Sequence, residues 1–134
     1  MAAIPEARRA LEDVGLADEV DLVVAGGIRN GGDIAKCLAL GADAIAIGHS
    51  ALMALNCNKE IPGVTDYEGT IGVPAGQCYH CHTGRCPVGI TTQDPELVAR
   101  LPIDEAAERV ANFLTAMTLE VQMIARATPR LARP

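Results

Sequence analysis

The chain has 134 residues, 49% of them hydrophobic and 2% aromatic, with 17 acidic and 11 basic side chains and a formal net charge of −6. This excludes a disordered chain and a basic nucleic-acid footprint, and it leaves one modest core to be built from Ala, Val, Ile and Leu. No apolar run is long enough to span a bilayer and no secretory signal opens the chain. The five cysteines therefore point to metal or redox use in a reducing cytoplasm rather than to a disulfide scaffold.

In chain order, residues 4–14 (IPEARRALEDV) carry helical periodicity through Ile4, Ala7, Leu11 and Val14, with Pro5 in the first turn and Gly15 as the stop. Residues 21–25 (DLVVA) read as a short strand buried on both faces of a parallel sheet. Gly26-Gly27 follows at once, and a helix opening at Asn30 or Gly31 runs to Gly41. Residues 44–47 (AIAI) make a second buried strand, closed by Gly48, with a helical turn over 49–55. The order is strand, loop, helix, twice over. It predicts a βαβα unit with parallel strands and a right-handed crossover.

Composition shifts at Asn56. Residues 56–94 are rich in Gly, Pro, Thr and Cys and lack a sustained period, so a loop of that length needs something else to hold it, such as a bound cluster. Asp94-Pro95 supplies an N-cap and a first-turn proline for a short helix over 95–100. A long helix is predicted over 104–127, with an apolar stripe through Ile103, Ala107, Val110, Leu114, Met117, Val121 and Ile124. Asp104, Glu105 and Glu108 lie at its positive end, Arg126 lies at its negative end, and Pro129 stops it. There is no internal repeat.

Two stretches carry chemistry. Glycines directly after a strand let backbone approach a ligand, and the helix that follows offers N–H groups to an anion. Here that arrangement occurs twice in succession, at Gly26-Gly27 and at Gly48-His49. Such a pair matches the phosphate pocket formed by the loops after the last two strands of a (β/α)8 barrel, although glycines also serve plain tight turns. His49 is placed to donate to a phosphate or to cap its helix. The second stretch, CYHCHTGRCP at 78–87, puts three cysteines and two histidines into ten residues. Thiolates so spaced converge on an iron–sulfur cluster, on a tetrahedral zinc with His80 or His82, or on a redox disulfide. Cys37 lies on the apolar face of its helix and reads as a small buried hydrophobe. Asp33 and Lys36 fit a structural role, and Arg85 reads as solvated.

The segment AGGIRNGGDIAKCLALGADAIAIG resembles the C-terminal end of an FMN- or nucleotide-binding barrel, as in glutamate synthase and inosine monophosphate dehydrogenase. The cysteines choose between them. Cys57, followed by Cys81-His82-Thr83-Gly84-Arg85-Cys86-Pro87-Val88-Gly89-Ile90-Thr91-Thr92-Gln93, is similar to the cluster segment in the synthase domain of the glutamate synthase family. The resemblance covers roughly 21–58 and 77–127. It implies an α/β fold: the last two βα units of a TIM barrel, then a Cys-rich cluster loop and a long C-terminal helix. The implied parts are 1–55 for the barrel end, 56–94 for the cluster segment and 95–134 for the closing helices.

The resemblance also implies FMN, held at its phosphate by Gly26, Gly27, Ile28, Gly48 and His49. It implies a 3Fe–4S or 4Fe–4S cluster drawing on Cys57, Cys78, Cys81 and Cys86. One departure is the insertion NKEIPGVTDYEGTIGVPAGQCYH between Cys57 and Cys81, which brings Cys78 and leaves Cys57 or Cys78 as the first cluster ligand. A full barrel takes about 250 residues, so the catalytic groups and the 2-oxoglutarate site would lie on other strands. The implied activity is reductive formation of L-glutamate from 2-oxoglutarate and ammonia. Its partners would be the remainder of the barrel or other subunits, together with a ferredoxin or an NAD(P)H reductase subunit as electron donor. A related N-methylglutamate synthase subunit using methylamine, and a non-catalytic zinc module, are the alternatives.

Overall fold

The computed structural model describes residues 1–57, 61, 64–74 and 77–128. The expectations that fall on 58–60, 62–63 and 75–76 of the insertion, and on Pro129 as helix stop, lie outside the described residues. The elements are α1 (Ala3–Asp13), β1 (Val23–Ala25), α2 (Gly31–Ala39), β2 (Ala44–Ala46), α3 (His49–Ala54), α4 (Tyr67–Ile71), a 3-10 turn at His80–His82, α5 (Pro95–Val98) and α6 (Ile103–Ala127). Met1–Ser50 together with the chain from Asn112 forms one compact unit, and Ala51–Ala111 forms another. Among the described residues no helix is long and apolar enough to cross a membrane.

In the first unit β1 and β2 pair in parallel, with Val23 opposite Ala44, Val24 opposite Ile45 and Ala25 opposite Ala46. The helix between them makes the connection that parallel strands require. The core gathers Ile4, Ile28, Cys37, Ala42 and Met117, with Val24, Ile45 and Phe113 packed against it. Cys37 is 1% exposed, as its helical position predicts. The strands are not buried on both faces: Val24 and Ile45 point to the core while Val23 is 58% exposed. Hydrophobic strand residues announce a sheet interior, but within this unit only one face has a covering layer.

α1 is clamped to this layer by Arg8. Its guanidinium donates to the Gly41 carbonyl (2.9 and 2.6 Å) and the Ala17 carbonyl (3.1 Å), and it pairs with Asp43. Asp43 in turn accepts from the Leu22 amide at 2.8 Å, so one carboxylate ties helix to strand. α2 is capped by Asn30, which accepts from Asp33 N at 2.9 Å. Glu120 of α6 accepts from Gly31 N at 2.6 Å. A Cβ on Gly31 would collide with the Glu120 side chain and the Met117 carbonyl, so the two helix backbones approach this closely only over a glycine.

The buried face of α6 is one residue out of step with the predicted stripe over part of its length. Ala106 is buried where Ala107 is exposed, Phe113 packs where Leu114 is 42% exposed, and Ile103 is 73% exposed. Adjacent apolar residues leave the period undecided, and packing partners settle it.

In the second unit the described residues of the 56–94 stretch hold more regular structure than their composition suggests. Asp66 accepts from Gly69 N at 2.9 Å, and Gly72 ends α4 in the left-handed region at φ 81°. Ile61 N donates to Tyr67 Oη at 2.5 Å. The core here is Ile61, Cys86 and Val88, with Val64, Tyr67, Ile71 and Ile90 against it. Residues upstream of the cysteine motif, Ile61, Val64, Tyr67 and Ile71, thus pack in one core with Cys86. α5 begins as expected, with Asp94 accepting from Glu96 N at 2.9 Å, but it gives way after Val98 to single turns.

Candidate functional site

Parallel pairing places both glycine turns at the same edge. Ala25 is opposite Ala46, so Gly26-Gly27 and Ile47-Gly48 leave neighbouring strands side by side, about 4.8 Å apart. Gly26 and Gly27 adopt φ 100° and 70°, conformations that a side chain disfavours. A Cβ at Gly26, Gly27 or Gly48 would meet nothing within 4 Å, so the edge opens onto free space. Such a ledge of exposed backbone fits a phosphate.

His49 is exposed and opens α3, and next to it Ser50 Oγ is buried without a hydrogen-bond partner. The Ile28 side chain is 6% exposed in the core, so only its backbone can face a ligand. The first turn of α2 is less available than its sequence suggests. The amides of Gly31 and Asp33 are taken by Glu120 and Asn30, and that of Arg29 by Asp33.

The second unit brings the thiols together. The Cys57 thiol is pushed up, first by burial and then by the charge that Cys81, Cys78 and Cys86 carry as thiolates. All three thus lie within electrostatic range of Cys57. Cys81 is exposed, Cys57 and Cys78 are half-buried, Cys86 is 6% exposed, and none of the five cysteines is in a disulfide. Burial alone would raise the Cys86 thiol. The amides of Thr91, Ile90 and Val88, with the Thr91 side chain, hold it below the usual range instead. Gly89 makes that turn: it has φ 82°, and the carbonyl of Leu97 is 2.5 Å from where its Cβ would be. Thr91 Oγ1 is buried with no partner at hydrogen-bond geometry, yet it lies near enough to favour the Cys86 thiolate.

Among the described residues, no three His, Cys, Asp or Glu side chains are drawn onto a common point that would hold one metal ion. A single tetrahedral zinc needs its sulfurs about 3.8 Å apart, from Zn–S bonds of about 2.3 Å. A polynuclear cluster places iron and sulfide between its thiolates and so needs a wider ring. The thiols of Cys57, Cys78, Cys81 and Cys86, with the amides of the 88–91 turn directed to Cys86, are donors of the type such a group takes. His80 is otherwise engaged: Nε2 lies 2.7 Å from the Ile71 carbonyl and the ring stacks on Tyr79. His82 is exposed.

The family model for the conserved region in glutamate synthase matches residues 1–66 and 68–129. The chain belongs to the glutamate synthase family. A glutamate synthase large subunit-like protein of Rhizobium meliloti is 51% identical over 127 residues, covering 95% of this chain and 28% of that protein. An archaeal glutamate synthase (NADPH) of Methanocaldococcus jannaschii is 39% identical over 120 residues, covering 90% and 20% respectively. An archaeal-type glutamate synthase (NADPH) of Thermotoga maritima is 38% identical over 122 residues, covering 91% and 20%. The chain therefore spans between a fifth and three-tenths of the length of these relatives. No solved structure matches it significantly.

Within the glutamate synthase family segment, the fold gathers Gly26, Gly27 and Gly48 at one edge of the sheet, and Cys57, Cys78, Cys81 and Cys86 in one unit. Sequence reasoning missed Thr91 and the amide turn behind Cys86. The Gly89 that follows Cys86-Pro87-Val88 is the signal that points to that turn. It also missed Glu120, which no local pattern connects to Gly31.

Proposed function

We propose that this chain is the portion of a glutamate synthase-type oxidoreductase that grips the FMN phosphate and carries the iron–sulfur relay. The observation that carries the reading is the placing of Cys57, Cys78, Cys81 and Cys86 in one compact unit, with the Cys86 thiol set in a turn whose amides lower its pKa, in a chain of this family. The resemblance of the run from Cys81 to Gln93 to the family's cluster segment supports a 3Fe–4S or 4Fe–4S cluster over a single zinc.

In this reading 1–55 forms the last two βα units of a (β/α)8 barrel, 56–94 the cluster segment and 95–134 the closing helices. Two parallel strands, each ending in a glycine turn and each followed by a helix, support the barrel assignment. Gly26, Gly27 and Gly48, with the backbone of Ile28 and with His49, hold the phosphate. When bound, the cluster stores single electrons and the flavin passes them on in pairs. In the reaction proposed for the whole protein, 2-oxoglutarate and ammonia lose water to give an imine, and two electrons with two protons convert it to L-glutamate. The relatives' names support NADPH as the ultimate donor, reaching the cluster through a reductase subunit or a ferredoxin. The remaining barrel strands or partner subunits supply the catalytic groups, and free thiols suit the reducing cytoplasm.

The test is iron, zinc and acid-labile sulfide content after purification without oxygen. About three or four irons per chain with about four sulfides are expected. Cys81→Ser and Cys86→Ser should abolish that content, and Cys57→Ser against Cys78→Ser ranks the remaining thiols. Zinc without sulfide overturns the cluster reading. In the assembled enzyme, product analysis with ammonia against methylamine identifies the amine.

A further inference from the structure

A cleft of about 240 Å³ opens in the second unit, on the side of the cysteine loop formed by α4 and α5. Two guanidiniums line it, Arg85 and Arg100, together with Thr70 and His80, and none of its described lining residues is acidic. This is unexpected in a chain of net charge −6 with only 11 basic residues. Arg100 is fixed by donating to the Pro87 carbonyl at 3.1 Å. The Arg85 backbone is pinned by a bridge to Thr92 and by its amide donating to Thr83 Oγ1 at 3.2 Å. Neither arginine has an ion pair among the described residues. His80 turns Nε2 to the Ile71 carbonyl, which holds its ring at the cleft wall. Two like charges in one recess repel each other unless an anion lies between them. Both arginines are exposed, and of the two guanidiniums that of Arg100 is held by a backbone carbonyl; planar guanidiniums are ready receptors for carboxylate or phosphate oxygens.

We propose that this cleft is a binding site for a small oxyanion, a carboxylate or a phosphate, bridged by Arg85 and Arg100. The volume, that of on the order of eight waters, suits inorganic phosphate or a four- to five-carbon dicarboxylate. The ligand braces both flanks of Cys86, through Arg85 before it and through the Arg100 bond to Pro87 after it. The proposal requires neither FMN nor a cluster.

The experiment follows the arginine Nε–H and backbone amide resonances of the 134-residue chain. Inorganic phosphate or succinate is titrated in at constant ionic strength, with chloride as control. Saturable shifts at Arg85 and Arg100 are expected with an oxyanion and not with chloride. Tighter binding of phosphate assigns a phosphoryl ligand, and tighter binding of succinate assigns a carboxylate. Arg85→Gln should weaken binding about tenfold, as loss of a charge-assisted hydrogen bond does, while Arg9→Gln leaves it unchanged. Arg100→Gln should act similarly. Because that change also removes the Pro87 bond, Arg85→Gln decides if Arg100→Gln fails to fold. Shifts confined to Gly26 and Gly27, shifts that chloride reproduces, or equal binding by Arg85→Gln would each overturn the proposal.

Discussion

Cys86 and Thr91 show how much the chemistry of one thiol depends on its neighbours. The sulfur is 6% exposed, which opposes charge, yet the turn over 88–91 supplies amides that favour it. Thr91→Val removes a buried hydroxyl that has no geometric partner. The Cys86 thiol pKa should then rise, as read by thiolate absorbance in a variant keeping only that cysteine.

Asp33 behaves similarly for a structural reason. It is 3% exposed, and burial acts to raise its pKa. Hydrogen bonds from the Arg29 backbone and side chain, with the charges of Arg29 and Lys36, outweigh burial and lower it. A depressed carboxyl stabilises the fold above its ordinary value of 3.8 and loses that contribution as pH falls through its folded value. Acid unfolding should therefore be steep below about pH 4, and Asp33→Asn should flatten it in denaturant melts taken across that range.

Among the elements, the glycine turn at 89 decides the geometry behind the cysteines. Gly89 has φ 82°, and a Cβ there would run into the Leu97 and Val98 carbonyls of α5. Gly89→Ala adds both strain and a clash, so a loss of about 2–4 kcal/mol is expected from the two effects together. Chemical denaturation reads the loss, and cluster content should fall with it. The sequence showed the glycine but not its neighbour, because α5 reaches it only after folding. α4 was legible in principle from Asp66 and Gly72, which are ordinary capping residues. The lack of an apolar period concealed a five-residue helix too short to show one.

Taken whole, the chain presents apolar surface that its own packing leaves uncovered. Val23 of the two-stranded sheet is 58% exposed, and Leu119 and Met123 of α6 are 53% and 68% exposed. A two-stranded sheet is marginal by itself, and open strand edges template association. Light scattering on the chain should show self-association. A stable monodisperse monomer would contradict this.

Local rules sufficed for some features. The two strand–glycine–helix repeats, the caps at Asn30 and Asp94, the burial of Cys37 and the thiol-rich segment follow from spacing and composition, because caps, turns and periodicity act within a few residues. Other features needed the tertiary structure: the buried face of α6, the capture of Gly31 N by Glu120 across 89 residues, and the meeting of Arg85 with Arg100 in one cleft. Each of these depends on residues far apart in the chain, or on a choice between adjacent apolar positions, and only packing makes that choice.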